Sequence, residues 1–484
     1  MTFHPIARRT PTLGAVALSA LCLCGSAQAQ GLDYIRGLLD ATPAGGWVKA
    51  STNLFSDARA TGLDGLPAVG FTTQQSVVQA WSSMAWDSNR GNLLLWGGGH
   101  SSYMGNEMYV WNGGNGAWGR GSLPSRIESL PNAVDARTRL VVDDAAPQSA
   151  HTYEGNLFLP VNDMFMTLGG PVFQDAGNFK VRDANGNLVT AGPWLWDPRK
   201  ADANKVGGTT GSGYNPATLG GQMWNNRGGQ WANVAGLTHF LSNSTEYRQE
   251  NGQDAVYLTV KNGSVPHLWR YLPGDVRGGS SNESWTLVGI PSYTAVSTES
   301  SGTIDNLHNL FVNTASYQND NGLQDLNVFD LSKAGPQNLE VAVDLVMADG
   351  SPFTASIYLG IEYAAADGGI WMWDGRDRGT LYRTEAAYNA DGSIATTWSV
   401  TRLPSTTAAQ PDGNHAHGVL GKWQYIDDLG VFVALDEYSA ATTDAAVWFY
   451  KPLVSAVPEP GTVAMLLAGL GLLGRKLRRQ PQQG

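Results

Sequence analysis

Apolar residues in this chain come in short runs, broken by glycine, proline, asparagine and aspartate. Between the two ends no long stretch repeats its apolar positions every 3.6 residues, which argues against a helical protein. Runs of roughly 4–8 apolar or alternating residues bounded by turn formers predict strands. "NLLLW" (92–96), "LFLPVNDMFMTL" (157–168) and "VFVAL" (431–435) are such runs. They predict an all-β protein of many tight hairpins.

The runs recur. A strand ends in aromatic residues, turns at glycine or proline, and is followed by a strand marked with tryptophan. "MYVWNGGNGAW" (108–118), "HLWRYLPGDVRGGSSNESW" (267–285) and "TLYRTEAAYNADGSIATTW" (380–398) share this form, and "LNVFDLSKAGPQNLEVAV" (326–343) follows it loosely. Another hairpin precedes each. Two hairpins make a four-stranded antiparallel sheet, and repeats of about 50–70 residues built this way are blades of a β-propeller. The spacing places blades starting near Val78, Ala150, Leu237, Thr298, Ala355 and His415. That gives six blades, or seven if residues 173–231 hide one. The last runs out of chain after "AVWFYKP" (446–452), so its outer strand is expected from residues 45–52, with Trp47 in the usual tryptophan position. Such closure by an N-terminal strand removes a free sheet edge. The glycine groups at 97–99 and 169–170 and the spaced aromatic residues resemble kelch repeats and the galactose oxidase propeller. The resemblance implies a fold, not an activity.

Both ends look like address labels. Arg8 and Arg9, an apolar run over 13–23 and Ala27-Gln28-Ala29 have the layout of a secretory signal peptide over residues 1–29, a substrate for signal peptidase. Residues 457–479 hold Pro458-Glu459-Pro460, an apolar stretch over 463–473, and a basic tail of Arg475, Lys476, Arg478 and Arg479. The apolar stretch is shorter than the ~20 residues of a comfortable span, and its basic end belongs on the cytoplasmic side. This layout resembles the PEP-CTERM sorting signal of Gram-negative bacteria. The resemblance implies recognition by an exosortase-type membrane transpeptidase and delivery to the cell surface or exopolysaccharide matrix. Residues 30–455 are then the propeller.

Composition sharpens the picture. Of 484 residues 59 are glycine and 17 tryptophan, and the net charge is −11. Acidity without a basic tract excludes nucleic acid as a partner. Cys22 and Cys24 both lie in the leader, so the processed chain has no thiol. This excludes the copper-radical cofactor of galactose oxidase, which requires a cysteine cross-linked to a tyrosine.

The blade plan sorts side chains by face. Segments entering each inner strand, and loops joining second and third strands, open on one face. Loops joining first and second strands open on the other. His100 follows 97–99 in a second-to-third loop. His151, His239, His415 and His417 precede or enter inner strands. Asp374, Arg376, Asp377, Asp436 and Glu437 lie in second-to-third loops, and His308 falls on the far face. A mouth lined by histidines is a candidate for acid–base chemistry near neutral pH, or for a divalent metal held with a carboxylate. His100, His151 and Tyr153 are the candidate catalytic residues. Tyr103, Asn106, Glu107, Trp224, His239, Arg376, Asp377, His415, His417 and Glu437 are candidate ligand contacts, with Trp224 offered to a sugar ring. "DANGN" (183–187) lacks the glycine and distal acid of a calcium loop and predicts a hairpin turn. Two readings stand side by side. One is a surface module that binds a glycan or other extracellular ligand at the mouth. The other is a polysaccharide lyase or hydrolase using histidine and tyrosine there.

Overall fold

The computed structural model describes residues 32–59, 75–100, 102–125, 127–129, 139–141, 146–172, 179–208, 220–230, 237–239, 244–262, 265–277, 282–291, 299–314, 325–413, 417–436 and 445–453. The leader and the sorting segment lie outside these residues.

Strands are the dominant element, and they group into four-stranded antiparallel units. The first unit is Ser83–Asp87, Asn92–Trp96, Tyr109–Asn112 and Ala117–Arg120. The second is Asn156–Leu159, Met164–Thr167, Trp194–Trp196 and Trp224–Asn226. The third is Thr245–Glu250, Gln253–Asn262, Val265–Leu272 and Ser284–Gly289, with Leu237–His239 added on Gln253–Asn262. The fourth is Gly302–Asp305, Leu310–Asn313, Asp325–Asp330 and Val341–Met347. The fifth is Gly360–Ala364, Gly369–Trp373, Leu381–Thr384 and Thr397–Leu403. The sixth is Trp423–Ile426, Val431–Leu435 and Val447–Lys451, completed by Gly46–Lys49 from the other end of the chain. The first strand of each unit lies against the first strand of the next, and that of the sixth lies against that of the first. The arrangement is propeller-like.

Position in a unit dictates the residue pattern. Second strands are covered on both faces, so Val431–Leu435 and Gly369–Trp373 are apolar and buried throughout. Outer strands have one wet face. Thr397–Leu403 therefore alternates, with Trp398 and Val400 inward and Thr397 and Ser399 outward. The outer strands of the fourth and fifth units also pair with each other in parallel, from Asp344 opposite Thr397 to Met347 opposite Val400. The blade plan did not contain this fusion. It protects two edges at once.

Closure of the sixth unit is built around Trp47. Gly46–Lys49 pairs with Val447–Lys451, Trp47 opposite Tyr450. The buried Trp47 ring packs against Trp373, Trp423 and Tyr450, and its Nε1 donates to the Gly379 carbonyl at 2.8 Å. Just upstream, helix Asp33–Asp40 buries Ile35 and Leu39. Lys451 Nζ donates to the carbonyls of Leu39 (2.9 Å) and Thr42 (3.2 Å), a cation at the C-terminal end of the helix. Residues 183–187 form a hairpin turn between Lys180–Arg182 and Leu188–Thr190, with Asp183 Oδ1 accepting the N–H groups of Asn185 and Asn187.

Candidate functional site

The glycines at 97–99 set the position of His100. Gly98 has φ +91°, and a Cβ there would lie 2.7 Å from the Val77 nitrogen. A Cβ on Gly99 would lie 2.2 Å from the Ser149 carbonyl oxygen. Only glycine lets this loop press against the segments leading into the first and second units. The loop thereby delivers the His100 ring edge-on to His151, centroids 5.2 Å apart. Trp81, which precedes the first inner strand, lies 4.8 Å from His151 and stacks on His417 at 4.0 Å and 7°. Tyr153 completes the group. Its ring is 6.0 Å from His151, and its N–H donates to the Trp81 carbonyl at 2.6 Å. Three units, the first, second and sixth, thus contribute to one cluster.

The cluster carries backbone strain. Trp81, His100 and Tyr153 have φ of 45°, 48° and 51°. Each is a bulky side chain in the left-handed region, a conformation costing about 1–3 kcal/mol that persists only where the surroundings enforce it.

Its imidazoles are poorly solvated. Burial pushes His151 down to about 3, and the neighbouring His100 and His417 add to the shift, while a hydrogen bond with the Gly99 backbone opposes it. Burial also lowers His417, with Lys422 contributing. His151 Nε2 and His100 Nδ1 are buried, and neither has a hydrogen-bond partner among the described residues. On the other flank the Tyr153 and Tyr358 hydroxyls both hydrogen-bond to Glu299. Burial raises both phenols, Glu299 raises them further, and Tyr358 reaches about 12. Among the described residues no three His, Cys, Asp or Glu side chains come together as metal ligands.

The other candidate residues divide. Tyr103, Asn106 and Glu107 are not at the mouth but in the wall behind it, each at most 2% exposed. Glu107 Oε1 accepts the hydroxyls of Tyr103 and Tyr109, both at 2.6 Å, and Asn106 ties Ser125 and the Pro147 carbonyl. Trp224 is likewise mostly buried, packed against Trp96 and Phe165, and it lines a cavity of about 660 Å³ with Trp194, Asp197 and Arg199, apart from the histidine cluster. His239 belongs to a strand beside Gln253–Asn262 rather than to the segment entering the third inner strand. Arg376 pairs with Asp374, whose carboxylate also accepts the Ser356 N–H, and Asp377 accepts the Tyr382 hydroxyl. His415, Glu437 and the sorting residues Pro458, Glu459, Pro460, Arg475 and Lys476 lie outside the described residues.

Sequence reasoning missed Trp81, Glu299 and Tyr358. All three precede inner strands, the same position that singled out His151, so the signal was present but was applied only to histidine. It also missed a file of acids along the axis. Glu154 Oε2 accepts the N–H groups of Thr245 (2.8 Å) and Gly302 (2.6 Å), which joins the second, third and fourth units. Beyond it stand Glu246 and Glu362, at inner-strand positions otherwise filled by apolar or neutral side chains. Burial raises all three carboxyls, and Glu362 is raised further by Glu246, Glu154 and Asp427. Glu246, Glu362 and Asp427 line a cavity of about 580 Å³ at the far end of the axis.

Comparison with known proteins gives one decisive match. Residues 456–480 match the PEP-CTERM protein-sorting motif. The chain carries a C-terminal sorting signal. The motif indicates export, processing by exosortase and C-terminal sorting to the cell surface. No curated protein matches the chain. Among solved structures it is similar to a mutant of the α-L-arabinofuranosidase arb93a from Fusarium graminearum in complex with an iminosugar inhibitor. That likeness has 10% identity and a TM-score of 0.38, over 80% of this chain and 96% of that one. It is also similar to the Penicillium chrysogenum α-L-arabinanase complexed with arabinobiose. The identity there is 11% and the TM-score 0.36, over 82% of this chain and all of that one.

Proposed function

We propose that this PEP-CTERM cargo is a six-bladed, kelch-type β-propeller over residues 30–455. It binds a glycan or other extracellular ligand at the mouth formed by Trp81, His100, His151, Tyr153 and His417. The observation that carries the reading is the pair of buried imidazole nitrogens, His151 Nε2 and His100 Nδ1, that have no partner among the described residues, within a cluster drawn from three units. Buried polar atoms are nearly always bonded, and those left open in a native protein call for a partner. Hydroxyl groups of a sugar can both donate to and accept from neutral imidazoles.

A second reading is supported by the strain at Trp81, His100 and Tyr153. Strained bulky residues cluster at catalytic sites. In that reading the mouth cleaves a polysaccharide. A histidine takes a proton, and Tyr153, beside Glu299, gives one to the leaving oxygen.

One experiment separates the two. The chain, and its His100→Ala/His151→Ala variant, are incubated with a panel of acidic and neutral bacterial polysaccharides. Binding is followed together with new reducing ends and unsaturated products. Binding without cleavage, lost in the variant with the fold intact, is expected. Cleavage lost in the variant makes the protein an enzyme. Equal retention of the polysaccharides by both proteins removes the mouth from consideration.

A further inference from the structure

The first-to-second-strand turns occupy one face of the ring, and they interlock there. Asn89 Nδ2 donates to the Pro160 carbonyl at 3.0 Å, Arg90 pairs with Asp163, and Arg248 bonds Asn309 at 2.6 Å. The histidine cluster is built from the opposite ends of the same strands. Both ends of the described chain leave from the turn face. Strand Val447–Lys451 starts at the loop after Leu435 and runs toward the turn after Ile426, as its antiparallel register with Val431–Leu435 requires. Its continuation, Pro452 and Leu453, lines a cavity of about 480 Å³ together with turn residues Ala366, Asp367, Asp428 and Gly430. At the other terminus Leu32 meets Gly91, in the turn after Asp87. A Cβ on Gly91 would lie 2.3 Å from Leu32 Cδ2.

We infer that the protein is held at the membrane by its turn face, with the histidine mouth pointing away from the lipid. The nine residues 454–462 separate Leu453 from the apolar stretch that begins at Val463, and extended they span at most roughly 35 Å. The basic tail beyond that stretch fixes its C-terminal end on the cytoplasmic side, so the propeller stands outside. A tether this short, leaving from one face, keeps that face toward the bilayer. The mouth therefore opens away from the bilayer while the chain is still anchored. This holds whatever the mouth binds.

The chain suits a thiol-labelling test, because its only cysteines are Cys22 and Cys24. With both changed to serine, one new cysteine reports on one position. Leu307→Cys marks the turn face, where the side chain is 69% exposed. Arg376→Cys marks the loop after Trp373 on the mouth side, where the side chain is 59% exposed. The full chain is expressed in a Gram-negative host, and spheroplasts stripped of their outer membrane are labelled with a bulky, membrane-impermeant polyethylene-glycol maleimide. The same variants ending at Leu453 serve as the untethered reference. Expected is labelling of Arg376→Cys at its reference rate, and several-fold slower labelling of Leu307→Cys that recovers in the truncated protein. Equal protection of both positions, or protection of Arg376→Cys alone, overturns the orientation. If Arg376→Cys does not fold, Asp412→Cys replaces it. Asp412 is 39% exposed, and its N–H is held by Asp436 at the start of another mouth-side loop.

Discussion

His151 is neutral across the physiological range because its ring is enclosed and two other histidines stand near it. Its folded-state value, about 3, lies below the ordinary 6.5, so the unfolded chain binds the proton more readily. Stability linked to this group is complete above pH 6.5 and is lost as pH falls toward 3. His151→Phe is expected to flatten this acid limb, read as the change in urea midpoint between pH 7 and pH 4. Identical changes in wild type and variant would remove the buried neutral imidazole from the account. The axial carboxyls act in the opposite direction. Glu362 is raised by burial and by Glu246, Glu154 and Asp427, so its favourable protonated form persists above the ordinary carboxylate range and is lost as pH rises. Glu362→Gln is expected to unfold at a higher temperature than wild type at pH 8, with the gap shrinking at pH 4.5. A gap of constant size would point to packing instead of protonation. None of these axial acids was legible in advance. A carboxylate in a short apolar strand looks like a wet-face residue until the strand is known to line an axis.

At the scale of elements, the strand Gly46–Lys49 was legible from arithmetic. The sixth unit runs out of chain, and a tryptophan waits near the start. Trp47→Ala removes a fully buried ring from a cluster with Trp373, Trp423 and Tyr450. The expected cost is about 3–5 kcal/mol, measured by denaturant unfolding. A loss below about 1 kcal/mol would mean that the strand docks without closing anything. The glycines at 97–99 were legible as a turn, but their reason was not. The steric demand comes from residues 76–77 and 149–150, which no local pattern connects to them. The same limit explains Glu107 and Trp224. Residue type and loop position suggested ligand contacts, whereas tertiary packing spends Glu107 on two tyrosine hydroxyls and Trp224 on the core. The parallel pairing of the fourth and fifth outer strands was equally hidden, since each strand alone has an ordinary alternating pattern.

At the scale of the molecule, the repeating turn signals gave the strand-rich, propeller-like architecture and the assignment of residues to faces. His100, His151 and His417 fall into one cluster because face follows from strand parity, which a sequence does reveal. The ring also has an order of assembly. Gly46–Lys49 leaves the export channel early, yet its hydrogen-bonding partner, Val447–Lys451, is among the last strands to follow. Nearly the whole chain must wait outside the membrane with two raw sheet edges before the sixth unit can seal. Such open edges are where a waiting chain aggregates. Sealing becomes possible only as the C-terminal apolar segment arrives at the membrane, so the moment of anchoring is also the moment at which the fold can finish.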